Sequence, residues 1–280
     1  MSPAGQVQAL VIGGGPAGLM AAEALATQGH RVVVAEAMPT PARKFLMAGK
    51  SGLNLTKAEG LADFTAHYGG SAPVLRTPPG YLDKKELGPD EVMAWAEGLG
   101  IALFTGSTGR VFPVGMKASP LLRAWLARLS ELGVDLRTRW RWEGFQGDGW
   151  LFRTPAGPQV LRPGAVVLAL GGASWPRLGS DAAWVPWLSA RGVGIAPFRQ
   201  ANMGFRVGWS PAMARHFGQA VKGVALSAGS LSSRGEWVVT AQGIEGGGVY
   251  EVAAAIRDGA EAVVDLAPDL GAVELARRLA

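Results

Sequence analysis

Apolar residues occur along this chain in short unbroken runs and in longer stretches with helical spacing. The first run, Val7 to Ile12, is mostly apolar and β-branched and ends in glycines, so it predicts a buried strand. Residues 16–28 are rich in alanine and leucine and are followed by Gly29, which predicts a helix and its end. Residues 31–36 predict a second strand, so we expect a strand–helix–strand unit at this end of the chain.

Capping residues indicate two more helices downstream. One is expected to begin at Pro89 and to end between Gly98 and Gly100, and the other has Ser119 as its predicted N-cap and ends at Gly133. Further strands are predicted at residues 101–104, 134–142, 149–154 and 166–170. Strands that alternate with helices are typical of an α/β fold built on a parallel sheet.

The pattern changes beyond Pro197 to short apolar segments separated by turn residues. This change predicts a first domain over residues 1–189 and a mostly β second domain over residues 190–267. Residues 268–280 predict the start of a helical insert. A long loop without regular structure is expected at residues 39–57, where prolines, glycines and basic residues show no periodicity.

Composition excludes several kinds of chemistry. The chain has 280 residues, of which 48% are hydrophobic, enough for a sizeable core. Because no window holds about 18 uninterrupted apolar residues and no basic segment precedes the first apolar run, we expect a cytoplasmic protein without a membrane span. The absence of cysteine excludes disulfides and a thiolate nucleophile. The three histidines lack metal-ligand spacing, so no metal site is predicted.

The net charge of +5 is spread along the chain except where arginine alternates with threonine and tryptophan. On a single strand, Arg137, Arg139 and Arg141 would lie on one face and the intervening tryptophans on the other. Such a strand is open to two interpretations, a nucleic-acid surface or a half-buried strand with a solvated basic face. The second is simpler, and nucleic acid is not an expected partner.

Gly13, Gly15 and Gly18 have the spacing G-x-G-x-x-G at the turn between the first strand and the first helix. In this motif the first glycine permits the tight turn, the second lets a pyrophosphate approach the backbone, and the third lets the helix pack closely on the sheet. The helix opens with Pro16 and Ala17, and the N–H groups at a helix start lack internal partners and carry the positive end of the dipole. A diphosphate is the natural ligand of this turn.

Glu36 closes the second strand, where its carboxylate can accept hydrogen bonds from ribose hydroxyls. No arginine follows it directly, so a 2′-phosphate has no evident partner. The strand, the helix and this acid together turn a weak glycine motif into a dinucleotide-binding prediction. The motif alone does not distinguish FAD from NAD.

Longer motifs, in order along nearly the whole chain, resemble the BaiN-like flavoproteins, also called aminoacetone-oxidase-like or YhiN-like FAD-binding proteins. Besides Glu36 they are GGGPAGLMAA (13–22), RKFLMAGKSGLNLT (43–56), GRVFP (109–113), ALGGASWPRLGS (169–180), GEWVVTAQGIEGG (235–247) and VDLAPDL (264–270). The resemblance implies a Rossmann-like FAD-binding domain and selects non-covalent FAD over NAD as the bound cofactor.

The basic segment at residues 43–56, one of the motifs that carry the resemblance, offers further candidates for cofactor contacts. The resemblance makes Arg43 and Lys44 candidates to contact the diphosphate, and it makes Lys50, Ser51 and Asn54 candidates to lie closer to the flavin ring. For each residue, a solvated position in the loop is the alternative. No acid–base pair identifies catalytic residues.

The resemblance also implies roles for residues near a second glycine turn. Ala169, Gly171 and Gly172 resemble the segment that returns the chain to the FAD domain. Trp142 stands where the family has a small apolar residue near the adenine, so its backbone would make that contact. Plain core packing of this tryptophan is an equally good interpretation.

The function implied is an FAD-dependent oxidoreductase that moves a hydride between a small organic substrate and the flavin, with NAD(P)H or O₂ as the other partner. An NAD(P)-dependent dehydrogenase and a flavin-binding protein without turnover remain alternatives. The family loop commonly has Arg-Cys-Asn where this chain has Gly52, Leu53 and Asn54, so no role of that arginine or cysteine transfers. Family members continue beyond the last residue of this chain, which predicts a C-terminally truncated fragment.

Overall fold

The structure, a computed structural model, describes residues 6–50, 52–68 and 87–279. The chain divides into two compact units, Met1–Ala196 and Pro197–Ala280. The domain bounds predicted from the sequence, at 1–189, 190–267 and 268–280, stay predictions beside this division. Within the described residues, none of the helices is both long and apolar enough to cross a bilayer.

The first unit contains the strands and helices predicted around the glycine turn. Its helices are α1 (Pro16–Thr27), α2 (Arg43–Ala48), α3 (Leu61–Ala66), α4 (Pro89–Glu97), α5 (Ala118–Glu131) and α6 (Val185–Ser189), with a 3₁₀ helix at Pro176–Leu178. Its strands are β1 (Gln6–Ile12), β2 (Val32–Glu36), β3 (Thr56–Lys57), β4 (Leu103–Thr105), β5 (Arg110–Pro113), β6 (Asp135–Thr138), β7 (Arg141–Gln146), β8 (Gly149–Thr154) and β9 (Gly157–Leu168).

A six-stranded sheet in the order β6-β2-β1-β9-β8-β7 forms the frame of this unit. β1 runs parallel to β2 and β9, and β2 runs parallel to β6, so the α/β class predicted from the sequence is confirmed. β9 is longer than the predicted strand at 166–170, since its first part forms an antiparallel hairpin with β8 and its second part pairs with β1. The smaller sheet has the order β3-β5-β4.

Both faces of the parallel strands are buried. Val11 and Val34 face the helices α1 and α5, whose Leu19 and Trp125 complete that cluster. Neighbouring residues of the same strands, such as Leu10, face a second cluster on the opposite side. Burial on both faces explains why these strands appear in the sequence as unbroken apolar runs instead of alternating ones.

The single strand predicted over residues 134–142 is wrong, because the structure has two strands there. Arg139 lies between them with a left-handed backbone (φ 58°) and donates its N–H to the Met38 carbonyl. The predicted alternation therefore does not hold. Arg137 pairs with Asp135, and its guanidinium lies 4.7 Å from the Trp140 ring centre.

The long loop predicted at residues 39–57 is also wrong, because it contains α2 and β3. α2 is only six residues long, too short to show a helical period, and contacts with Gly14 and Ala118 hold its two ends. Ser119 is not the N-cap of α5; Lys117 is, and its side chain makes no capping hydrogen bond. The predicted end of this helix is confirmed, since Gly133 has φ +77°.

The second unit is built from short strands in two antiparallel sheets, in the orders β10-β15-β14-β11 and β13-β12-β16. Its strands are β10 (Phe205–Arg206), β11 (Ala220–Val221), β12 (Ala225–Ala228), β13 (Leu231–Ser233), β14 (Trp237–Thr240), β15 (Gly243–Glu245) and β16 (Ala262–Asp265). Its helices are α7 (Gly247–Tyr250), α8 (Ala253–Arg257) and α9 (Ala272–Leu279), with a 3₁₀ helix at Pro211–His216. A separate apolar cluster that includes Leu226, Trp237 and Val249 forms its core.

Candidate functional site

Glycine is required for different reasons at the three positions of the G-x-G-x-x-G turn. A Cβ at Gly13 would collide with the carbonyl oxygen of Ala169, and a Cβ at Gly18 would collide with the carbonyl of Gly13. A Cβ at Gly15 would meet no atom of the described residues within 4 Å. Its backbone is extended (φ −80°, ψ 179°), a conformation open to any residue. Packing therefore explains Gly13 and Gly18, whereas Gly15 faces open space.

α1 begins beside this open space. Gly15 is its N-cap and provides no side-chain acceptor, and Pro16 is its first residue. The first hydrogen bond into the helix runs from the Leu19 N–H to the Gly15 carbonyl, at 2.9 Å. The N–H groups of Ala17 and Gly18 precede that bond, so helix geometry leaves them without an internal partner and available to an anion.

The Glu36 carboxylate is held against the turn by two backbone donors. Its Oε2 accepts the N–H of Gly14 at 2.7 Å, and its Oε1 accepts the N–H of Met38 at 2.6 Å. Burial raises the pKa of Glu36, and these two hydrogen bonds and the charges of Arg141 and Arg43 oppose that rise. Each carboxylate oxygen has a second lone pair, which fits the predicted contact with ribose hydroxyls.

Gly14 has a role that the sequence interpretation missed. A Cβ at this position would lie 2.9 Å from Glu36 Oε2 and 3.1 Å from Glu36 Cβ, so a side chain would displace the carboxylate. The Gly14 carbonyl also accepts the N–H of Ala42, at 2.8 Å, which draws the start of α2 onto the turn. The only indication of this role in the sequence is that Gly14 is the middle one of three consecutive glycines.

α2 brings Arg43 and Lys44 to this region, but in different surroundings. Arg43 is half-buried, and its Nε atom is buried with no hydrogen-bond partner among the described residues. Lys44 instead donates from Nζ to the hydroxyl of Ser174, at 3.0 Å, and more weakly to that of Ser180, at 3.4 Å. Arg43 therefore has a free donor for a ligand, whereas Lys44 fixes the segment that follows the second glycine turn.

The second glycine turn meets the first because β1 and β9 are parallel neighbours and end at the same edge of the sheet. The Ala169 N–H donates to the carbonyl of Ile12 at 2.9 Å, which sets Ala169 beside the first turn. Gly171 follows with φ +69°, and the Gly172 carbonyl accepts the hydroxyl of Ser180 at 2.9 Å. These residues thus border the same end of the sheet.

Two other predicted residues lie in different settings. The Trp142 side chain is buried in the core, where its ring packs on those of Trp150 and Trp187 and its indole N–H donates to the Gly144 carbonyl. Core packing therefore describes the side chain, and a backbone contact to adenine stays a prediction. Asn54 is exposed, and Ser51 lies outside the described residues.

A cleft of about 480 Å³ opens beside α2 and the start of α5. It is lined by Arg43, Leu46, Met47, Gly49, Lys50, Lys117, Ala118, Ser119 and Leu178. Sequence interpretation placed Arg43 and Lys50 near a ligand but missed Lys117. A lysine directly before a predicted helix start was the only local signal for it.

Comparison with protein families matches residues 7–259 to the model of the HI0933-like protein Rossmann domain. This match covers both glycine turns, Glu36 and the basic cleft.

Solved structures with similar folds include Thermovibrio ammonificans THI4, at 16% identity and a TM-score of 0.44 over 68% of this chain and 64% of that one. The open conformation of a flavocytochrome c3 fumarate reductase has 21% identity and a TM-score of 0.48 over 68% and 41% of the two chains. The 3-ketosteroid-delta4-(5alpha)-dehydrogenase from Rhodococcus jostii RHA1 has 15% identity and a TM-score of 0.41 over 60% and 46%. This chain spans less than two thirds of the length of each.

Proposed function

The chain belongs to the HI0933-like family of Rossmann-domain proteins, and from this premise we propose that it is a BaiN-like, FAD-dependent oxidoreductase. Its substrate would be a small organic molecule, with NAD(P)H or O₂ as the second redox partner. The observation that carries the proposal is Gly15, which lies at the start of α1 with no atom of the described residues within 4 Å of its Cβ position. A ligand that presses against the backbone is a physical reason for a glycine there.

The residues around the turn fit a dinucleotide. The N–H groups at the start of α1 and the open face of Gly15 would hold the diphosphate, and Glu36 would accept hydrogen bonds from the ribose. The buried Arg43 Nε has no partner in the described part of the chain, and it would donate to the same anion. A bound flavin supplies hydride-transfer chemistry, and the protein supplies binding, orientation and exclusion of water.

The test compares two valine substitutions. Gly15→Val places a branched side chain where the diphosphate would lie. Gly60→Val is its control, because Gly60 is also extended (φ −66°, ψ 152°) and no described residue has an atom within 4 Å of its Cβ position. Stripped of flavin, both variants should melt at the temperature of the flavin-free wild type. After desalting, the wild type and Gly60→Val should keep flavin absorbance at about 450 nm, and Gly15→Val should lose it.

Retention of stoichiometric flavin by Gly15→Val would show that the site is elsewhere. A wild type that binds NAD(H) and takes up no flavin would contradict the FAD assignment. For flavin-loaded protein, anaerobic bleaching by NADH or NADPH followed by recovery in air would identify which partners serve the second half-reaction.

A further inference from the structure

The cleft beside α2 carries positive charge on an apolar floor. Three of its lining residues, Arg43, Lys50 and Lys117, are cationic, and none of them forms an ion pair with a carboxylate of the described residues. Elsewhere in the same unit, Arg128 pairs with Glu23. A group of unpaired cations around a cavity repels itself, so it is most stable when an anion lies among them.

One contact ties two of these cations together. The Lys117 Nζ atom donates to the carbonyl oxygen of Lys50 at 3.0 Å, so the two lysines are tied together while both charges stay unneutralised. Arg43 lines the same cleft and adds a third positive charge to it.

The start of α5 adds to this potential. α5 is 14 residues long, its N-cap residue Lys117 offers no side-chain acceptor, and its first residues, Ala118 and Ser119, line the cleft. A Cβ at Gly49 would collide with the Cβ of Ala118, so only glycine lets the end of α2 approach α5 this closely. Helix geometry leaves the N–H groups of Ala118 and Ser119 without an intrahelical partner, and both residues line the cleft with the three cations.

From this arrangement we infer that the cleft is the subsite for an anionic group of the substrate, which makes the substrate a small organic anion. Lys50, Lys117 and the start of α5 bind its carboxylate or phosphate, and Leu46, Met47 and Leu178 contact its apolar part. The assignment as a substrate subsite rests on the proposed function. Binding of an anion to the cleft does not require the flavin.

The test uses ¹⁵N-labelled protein titrated at constant ionic strength with acetate, inorganic phosphate and neutral acetamide. The amide resonances of Ala118, Ser119 and Gly49 should shift with the anions and not with acetamide.

Lys117→Gln and Lys50→Gln should each weaken anion binding about tenfold, the scale of one charge-assisted hydrogen bond. Lys57→Gln is the matched control, because Lys57 is an exposed lysine of the same unit that pairs with Glu59, and it should bind as the wild type does. A preference for phosphate or for acetate would identify the anionic group.

Equal shifts with acetamide, or unchanged anion affinity in both cleft variants, would overturn the inference. Loss of flavin from Lys117→Gln would also overturn it, because the cleft would then belong to the cofactor while the proposed function stood. Anion binding at the cleft in a protein that takes up no flavin would leave the anion site in place and contradict the FAD proposal instead.

Discussion

Different neighbouring groups require glycine at the different positions of the turn. Gly13 and Gly18 are required by protein atoms that their side chains would meet, and Gly14 is required by the Glu36 carboxylate. Gly15 alone in this turn faces open space. Packing therefore requires three of these glycines, and a bound ligand requires Gly15. Substitutions at the packed positions should destabilise the fold, whereas a substitution at Gly15 should weaken only ligand binding.

The charge of Glu36 should control dinucleotide affinity. Glu36→Gln should weaken FAD by about 1–2 kcal/mol, because a charge-assisted hydrogen bond to the ribose is lost. Burial raises the pKa of Glu36 above the usual 4.5, so the wild-type carboxylate takes up its proton at a higher pH than an ordinary glutamate does. Wild-type affinity should therefore be full above that raised pKa and should fall as the pH drops through it. Fluorescence titrations with FAD across this acidic range measure both effects.

Glu97→Gln is the matched control, since Glu97 is exposed at the end of α4 and is not part of the turn. It should show wild-type affinity and wild-type pH dependence, and Glu36→Gln should lose the pH dependence. An unchanged dissociation constant in Glu36→Gln would place the ribose away from this residue.

At the scale of elements, one carboxylate joins three helices of the first unit. Glu23 of α1 accepts the indole N–H groups of Trp125 (2.6 Å) and Trp95 (3.3 Å) and pairs with Arg128 at 3.0 Å. Trp95 belongs to α4, and Trp125 and Arg128 belong to α5, so the helix that opens at the glycine turn is held by polar bonds as well as by packing.

Removal of this carboxylate should therefore destabilise the first unit. Glu23→Ala leaves two indole donors without this acceptor and leaves Arg128 with the Gly98 carbonyl but no carboxylate, which should cost about 2–3 kcal/mol of unfolding free energy. Glu131→Ala, at the exposed end of α5, should cost less than about 0.5 kcal/mol. Urea titrations followed by tryptophan fluorescence measure both values, and equal midpoints for the two variants would show that the Glu23 network adds nothing.

At the scale of the whole molecule, each of the two compact units has its own apolar core. Leu10, fully buried in the first unit, and Leu226, 1% exposed in the second, are matched leucines for testing whether the units unfold separately. Leu10→Ala and Leu226→Ala should each cost about 2–5 kcal/mol, but in different unfolding transitions.

Calorimetry should show two transitions, of which Leu10→Ala lowers one and Leu226→Ala the other. Added FAD should raise only the transition that Leu10→Ala lowers, because all the proposed cofactor contacts lie in the first unit. A single transition that both substitutions lower equally would mean that the two units unfold as one.

The sequence by itself determined the β1–α1–β2 unit, its glycine turn and Glu36. These features depend on residues close together in the chain, and the spacing of such residues is enough to predict their geometry. The helix α5 and its end at Gly133 were predictable for the same reason. Only the tertiary structure decided that residues 43–48 form a helix, that Arg139 interrupts a strand and that Lys117 joins Arg43 and Lys50 at one cleft. Those features depend on contacts between distant segments, such as Ala42 with Gly14 and Gly49 with Ala118. The secondary-structure propensities of neighbouring residues do not predict such contacts.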